Sequence, residues 1–192
     1  MLTRPIALAL ALATPFAVHA QASDPAVARV SAYGQAVAEV ARDGVKLSFK
    51  ARTERFVPII VDYYDLAGAL ALIAGPAWTA ATTEQRSTAT AAFARNSAIQ
   101  HADNFKSADF ALAVDAKTVV RGQTRLVRAH TGGETLIYRL RETGGRWRII
   151  DVQARGVSQL AVQKADFATT VAKGGVPALT VKLNEINTRP HS

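Results

Sequence analysis

The residues able to carry chemistry in this sequence are histidines, closely spaced carboxylates and a run of arginines. Beyond residue 20 the histidines are His101, His130 and His191, far apart and without the short spacing of metal ligands. His101 falls among small residues on a helical stretch, where an imidazole reads as a polar pocket or surface group. Asp62 and Asp65 stand three apart, so a helix would bring them to one face. They could form an acid–base dyad; helix capping or a surface pair is the reading adopted. Asp151 sits among Ile149, Ile150 and Val152 in a strand-like run. A carboxylate with apolar neighbours could serve as a general base, and the favoured alternative is an ion pair with Arg139 or Arg141 on the next strand. The chain has no cysteine, no G-x-S-x-G elbow and no glycine-rich phosphate loop after a strand. Thiol chemistry, thiolate metal sites and the α/β-hydrolase class are thereby excluded. No catalytic constellation, metal or cofactor is expected.

The arginines are concentrated. Residues 115–155 carry nine basic and four acidic side chains, whereas 21–114 balance nine against nine. The formal net charge of the 192 residues is +8. Only Tyr138 and Trp147 interleave the basic segment, too few aromatics for a nucleic-acid stacking surface. A basic face of this kind suits anionic head groups or an acidic partner. Apolar residues make up 49% and charged residues 20%, the balance of one folded domain rather than a disordered chain.

Residues 1–22 have the three parts of an export signal: Arg4, a 13-residue apolar run from Ile6 to Val18, and small residues around Ala20 and Ala22. The run is short of the ~20 apolar residues that a bilayer span needs. Cleavage after Ala20 is expected, giving an exported chain, secreted or periplasmic, of residues 21–192 as a single domain. Without cysteine, that fold must be held by apolar packing alone, which a chain of this length can supply.

The elements that position these residues follow from period and punctuation. Val27, Val30, Gly34, Val37 and Ala41 define one helix face, capped by Asp24 before Pro25 and ended at Asp43-Gly44. A second helical stretch runs from Leu47 to Ala74, where Pro58 should kink or split it and Gly75-Pro76 should stop it. Thr82, with Gln85 three residues on, opens a third helix whose face includes Ala89, Ala92, Phe93, Ile99 and Ala102 and which fades near Phe105. Strands are expected at Thr118–Val120, Arg125–Ala129, Thr135–Leu140 and Arg146–Ala154, turning at Gly132-Gly133 and Gly144-Gly145. Strict alternation puts Leu136, Tyr138 and Leu140 on one face, and Ile150, Val152 and Ala154 opposite Trp147, Ile149 and Asp151. Helical spacing then runs from Val157 through Leu160 and Phe167 towards Val171, breaks at Gly174-Gly175, and resumes after Pro177. Helices, then a meander of strands, then helices make an α+β fold, with helices on one face of an antiparallel sheet.

Several blocks resemble the MlaC (toluene-tolerance, auxiliary phospholipid-transport) family. They are GPAW at 75–78 with TTEQR at 82–86, LIYRL at 136–140, GRWRIIDV at 145–152, RGVSQLAVQKADF at 155–167 and KGGVPALTVKLN at 173–184. The SQLA form at 158–161 is most similar to the HpnM, hopanoid-associated subgroup. The sequence departs at His101-Ala102, where the family often has tyrosine then alanine.

The resemblance implies a twisted antiparallel sheet packed on one face by helices, with an apolar lipid pocket between them. It implies a periplasmic carrier, without cofactor, that shuttles phospholipid or hopanoid-type lipid between inner and outer membranes. Its partners would be inner- and outer-membrane lipid transport complexes, one of them an ABC transporter, with transient contact at the membrane surface. Under that reading the sheet offers Leu136, Tyr138, Leu140, Ile150 and Val152 to the lipid. The helices offer Phe93, Ile99, Phe105, Val157, Leu160 and Phe167. Two other classes stay open. One is an isomerase- or hydratase-like enzyme on a similar cone-shaped α+β fold, with Asp151 or His101 as base. The other is an interaction module whose arginine face binds an acidic partner.

Overall fold

In the computed structural model, which describes residues 24–190, α1 (Pro25–Gly44) begins where the Asp24 carboxylate accepts from the Ala26 N–H at 2.8 Å. The export signal expected at 1–20 lies outside the described residues. Val30, Tyr33 and Val37 of α1 turn inward and are essentially inaccessible to solvent. The other Asp24 oxygen accepts from Thr118 at 2.8 Å and lies 3.7 Å from Arg125, which ties the start of α1 to the sheet.

The chain then runs through α2 (Phe49–Tyr63), α3 (Leu66–Ala74), the single turn α4 (Pro76–Ala80) and α5 (Thr83–Asn104). Pro58 does not split α2. Pro58 and Glu54, whose carbonyl loses its partner, both lie on the exposed face, so water can satisfy that carbonyl, while Phe56 and Ile60 anchor the buried face. The break falls instead at Tyr64-Asp65. The capping box at Thr82 and Gln85 is formed in both directions, and α5 ends at Phe105 as expected. Buried alanines 89, 92, 94, 98 and 102 let α5 pack closely against both α2 and α6. Arg52 of α2 is buried and satisfied: it donates to the carbonyls of Ala102 at 2.6 Å and Gly44 at 2.9 Å, where α5 and α1 end.

The sheet is a five-stranded antiparallel meander in the order β1 (Ala113–Arg121), β2 (Thr124–Thr131), β3 (Glu134–Thr143), β4 (Arg146–Ala154) and β5 (Val157–Ser158). Gly144 and Gly145 both have positive φ, +60° and +72°, the backbone that a two-residue hairpin turn requires. Helices cover one face, where Val127, Ala129, Tyr138, Leu140 and Ile149 are buried. The expected α+β architecture is the one observed.

Strict alternation fails in β4. Arg139 stands opposite Asp151 but Leu140 stands opposite Ile149, so Ile150 is an extra, unpaired residue: a bulge. The bulge swings Ile149 to the core face with Leu140, against the expected alternation, and Trp147 follows it to pack on the core. The freed edge then accepts the helical layer: the Asp65 N–H donates to the Ile149 carbonyl at 2.9 Å, and Tyr64 bridges Ile149 as a strand would.

Val157 also departs from expectation. It lies in β5, pairing Ala154, and is 55% exposed; the helix begins two residues later. α6 (Gln159–Asn187) is bent at Gly174-Gly175, where Gly175 holds φ +61°, ψ −148°, and Leu179 and Leu183 are buried beyond the bend.

Asp65 is the joint of this arrangement. Its Oδ1 accepts from the Gly68 N–H at 3.0 Å to cap α3; its Oδ2 takes Arg141 at 2.5 Å and Thr143 at 3.0 Å from the β3–β4 hairpin. Gly68 leaves room for this contact, since a side chain there would strike both Asp65 and Arg141 and displace them. We expect Asp65→Ala to lower the unfolding free energy by about 2 kcal/mol, through the lost cap and ion pair, the latter discounted because Arg141 is partly solvated. Asp65→Asn keeps the cap and should cost about half as much. Equal losses in urea denaturation would place the whole effect on the ion pair.

Candidate functional site

Two cavities adjoin the α2–α3 break. An open cleft of about 1090 Å³ lies between the end of α2, the start of α3, Trp78, one face of α5 and the β3–β4 hairpin. Beneath it a narrow inner cavity of about 60 Å³ lies between α3, α5, β4 and the start of α6. Tyr64, Asp65 and Leu66 line both, so the break itself is the partition between them. The inner cavity has room for a few waters and none for a chain of methylenes. Leu66, Ala69, Phe93, Ile150, Val152 and Leu160 supply its apolar wall, and Gln100, His101 and Asp151 are among its polar lining.

A hydrogen-bonded chain crosses the inner end. The Tyr64 hydroxyl donates to Tyr33 at 3.1 Å; the Tyr33 hydroxyl meets His101 Nε2 at 2.7 Å; His101 Nδ1 meets the Ser97 carbonyl at 2.7 Å. The Ser97 carbonyl can only accept, so Nδ1 carries the proton and Nε2 accepts from Tyr33. This is the neutral imidazole. Burial lowers its pKa from 6.5 to about 4, opposed only weakly by the Ser97 carbonyl. The same desolvation raises Tyr64 to about 12 and pushes Tyr33 and Tyr138 up as well. Rings of Phe56, Phe105 and Tyr33 pack on His101 with centroids 5.3 to 6.2 Å away. The Tyr64–Tyr33–His101 end of the site is therefore aromatic and neutral, while the carboxylates of Asp65 and Asp151 also line the cavity, each paired with an arginine.

Of the eleven residues picked from sequence, Phe93, Ile150, Val152 and Leu160 line the inner cavity. Tyr138, Leu140 and Phe167 are buried in the surrounding core, with Leu136 and Phe105 packed at its margin. Ile99 is buried but off the cavity, and Val157 is on the surface. Asp151 lies 3.6 Å from Arg139, as the ion-pair reading had it, and also accepts from Ser158 at 2.8 Å and from the Leu160 N–H at 3.1 Å. It thereby fixes the start of α6. Asp62 and Asp65 do not face one another as a dyad: Asp62 pairs with Arg29 and Arg146, and Asp65 caps α3. His130 is paired with Asp115 on the sheet, and His191 lies outside the described residues.

Sequence reasoning missed Tyr64, Leu66, Ala69 and Gln100 as lining residues, and the open cleft altogether. The one signal for the cleft is the pair of blocks holding Trp78 and Arg86, and only folding brings these two to a common wall.

A family model described as MlaC protein matches residues 31–185. Among solved structures, the phospholipid-binding protein from Ralstonia solanacearum, determined in complex with a phospholipid, is similar to this chain. The two share 21% identity and a TM-score of 0.70, over 85% of this chain and 97% of that one. The likeness is one of fold. No curated protein matches.

The neutral His101 has a consequence for stability. Its folded pKa lies below its unfolded value, so the unfolded chain takes up the proton first. Stability should be unaffected by this group above pH 6.5 and should fall as pH drops from 6.5 towards 4. His101→Gln should flatten that part of the urea-unfolding profile. Burial acts to raise Asp65, but the bonds from Arg141, Gly68 and Thr143 outweigh it and hold the carboxyl below its ordinary value. Its contribution is separate and begins to be lost only below pH 3.8. A His101 imidazole resonance that titrates by NMR near 6.5 in the folded protein would contradict this assignment.

Proposed function

The chain belongs to the MlaC family, and from that premise we propose that it is a periplasmic carrier of phospholipid or hopanoid-type lipid. It takes lipid from one membrane-bound complex and delivers it to another, without chemistry. The observation that carries this reading is the inner cavity between the helices and β4, with one apolar wall, which meets an open cleft at Tyr64, Asp65 and Leu66. The phospholipid in a protein of the same fold supports it.

Acyl chains would enter where the helical layer rests on β4. Phe93, Ile150, Val152 and Leu160 are the tail-contacting set, and Tyr138, Leu140 and Phe167 form the wall behind them. Each methylene taken out of water contributes roughly 0.8 kcal/mol, enough for several to offset the parting of α3 and α5 from the sheet. An uncharged His101 suits this, since a cation at the tail end would have to be desolvated with each loading. Because the lipid is only transferred, direction is set by relative affinity for the two membrane complexes. An export signal cleaved after Ala20 accounts for the compartment. The SQLA form at 158–161 supports placement near the HpnM subgroup.

The protein recovered from a periplasmic fraction should release lipid on solvent extraction, close to one molecule per chain by mass spectrometry. An interior that stays empty even after incubation with liposomes would overturn the reading. Val152→Trp, which fills the inner cavity from the sheet side, should reduce bound lipid about fivefold or more, since it displaces chain from the site.

A further inference from the structure

The open cleft is lined by more cation than the fold uses. Arg86, Arg146 and Arg148 reach it, against one carboxylate, Asp65, which is already held by Arg141 and Thr143. Arg148 donates to the carbonyls of Val61, Asp62 and Tyr64, and Arg146 pairs with Asp62 at 3.2 Å. Both have structural work. Arg86 has none: the residue is half-buried and its guanidinium, among the described residues, has neither hydrogen bond nor ion pair. Its position is not accidental, because the Thr82–Gln85 capping box sets the first turn of α5 immediately before it. The side chains of Thr83, Ser87 and Thr90 share its face of the helix and line the same cleft.

We propose that this cleft is a phosphate subsite that holds the headgroup of an anionic phospholipid, with Arg86 as its principal contact and Arg146 and Arg148 beside it. The proposal rests on the carrier reading and names the lipid class that reading left open. A planar guanidinium partly withdrawn from water and without a carboxylate is matched to two oxygens of a phosphodiester. Thr83 and Ser87 can add hydroxyl donors. The cleft meets the inner cavity at Tyr64, Asp65 and Leu66, so a phosphate at Arg86 stands above chains that enter there. A hopanoid with only hydroxyl groups would leave Arg86 unanswered.

The test compares loading of the mature protein from vesicles carrying either phosphatidylglycerol or diacylglycerol with the same acyl chains. Lipid is extracted after re-isolation of the protein. Wild type should favour phosphatidylglycerol, and Arg86→Ala should reduce that preference about tenfold, the effect of one charge-assisted contact. Arg86→Ala/Arg146→Ala should abolish it. Arg128→Ala, exposed on the sheet and outside the cleft, should leave it unchanged. Arg86→Ala removes no contact of the guanidinium within the chain, so its fold should persist and can be checked by thermal melting. If wild type loads both lipids equally and Arg86→Ala changes nothing, the headgroup subsite falls and the carrier reading stands. If wild type loads neither, the carrier reading itself falls. If inorganic phosphate alone binds as tightly as phosphatidylglycerol loads, the site serves the free ion and the headgroup assignment is overturned.

Discussion

The structure depends on one seam, where the backbone of Tyr64 and Asp65 lies against β4 at its bulge. A sheet edge must have its N–H and C=O groups satisfied. β5 does this at one end of β4 through Gln153 and Ala154, and the Asp65 N–H does it at Ile149. The second contact is possible only because Ile150 is extra and the strand bends there. In turn, the extended backbone of Tyr64 ends α2, and the Asp65 side chain starts α3 and grips the hairpin. One short segment thus joins helices to sheet, divides the two cavities and carries the tyrosine that opens the interior polar chain.

That seam shapes what the interior can hold. Tyr64, Tyr33 and His101 are polar groups in an aromatic setting, and each has its partner within the chain. A satisfied neutral network costs little to bury, whereas a charged imidazole there would cost much. The carboxylates around the site follow the same logic. Asp151 and Asp65 each combine an arginine with a helix N-terminus, so their burial is matched by charge and by backbone N–H groups. What is left without a partner among the arginines of the cleft is the Arg86 guanidinium, at the mouth rather than in the interior.

Much of the helical layer is legible in the sequence. Caps are local chemistry: Asp24 before Pro25, the Thr82–Gln85 box and the Gly144-Gly145 turn each depend on residues a few positions apart. The α+β order is legible for the same reason, since hydrophobic period and glycine punctuation act within one element. The family likeness is legible in the C-terminal blocks. Pro58 misleads, because whether a proline breaks a helix depends on which face it occupies and what anchors the opposite one. Val157 misleads too, since a two-residue edge strand carries no periodicity of its own.

Local sequence thus determines most of the caps and turns, the α+β order of the elements, the basic bias of the sheet segment and the absence of thiol chemistry, and it favours an arginine partner for Asp151. The packed fold decides the bulge at Ile150, the break at Tyr64 rather than Pro58, and which four of eleven apolar residues face the inner cavity. It also decides that Arg86 is free while Arg146 and Arg148 are engaged. The reason is physical. Period and capping are set by neighbours within a turn or a strand pair. A bulge, a cavity wall and an unanswered charge are set by groups brought together from distant parts of the chain, as when Asp65 meets Arg141 across 76 residues.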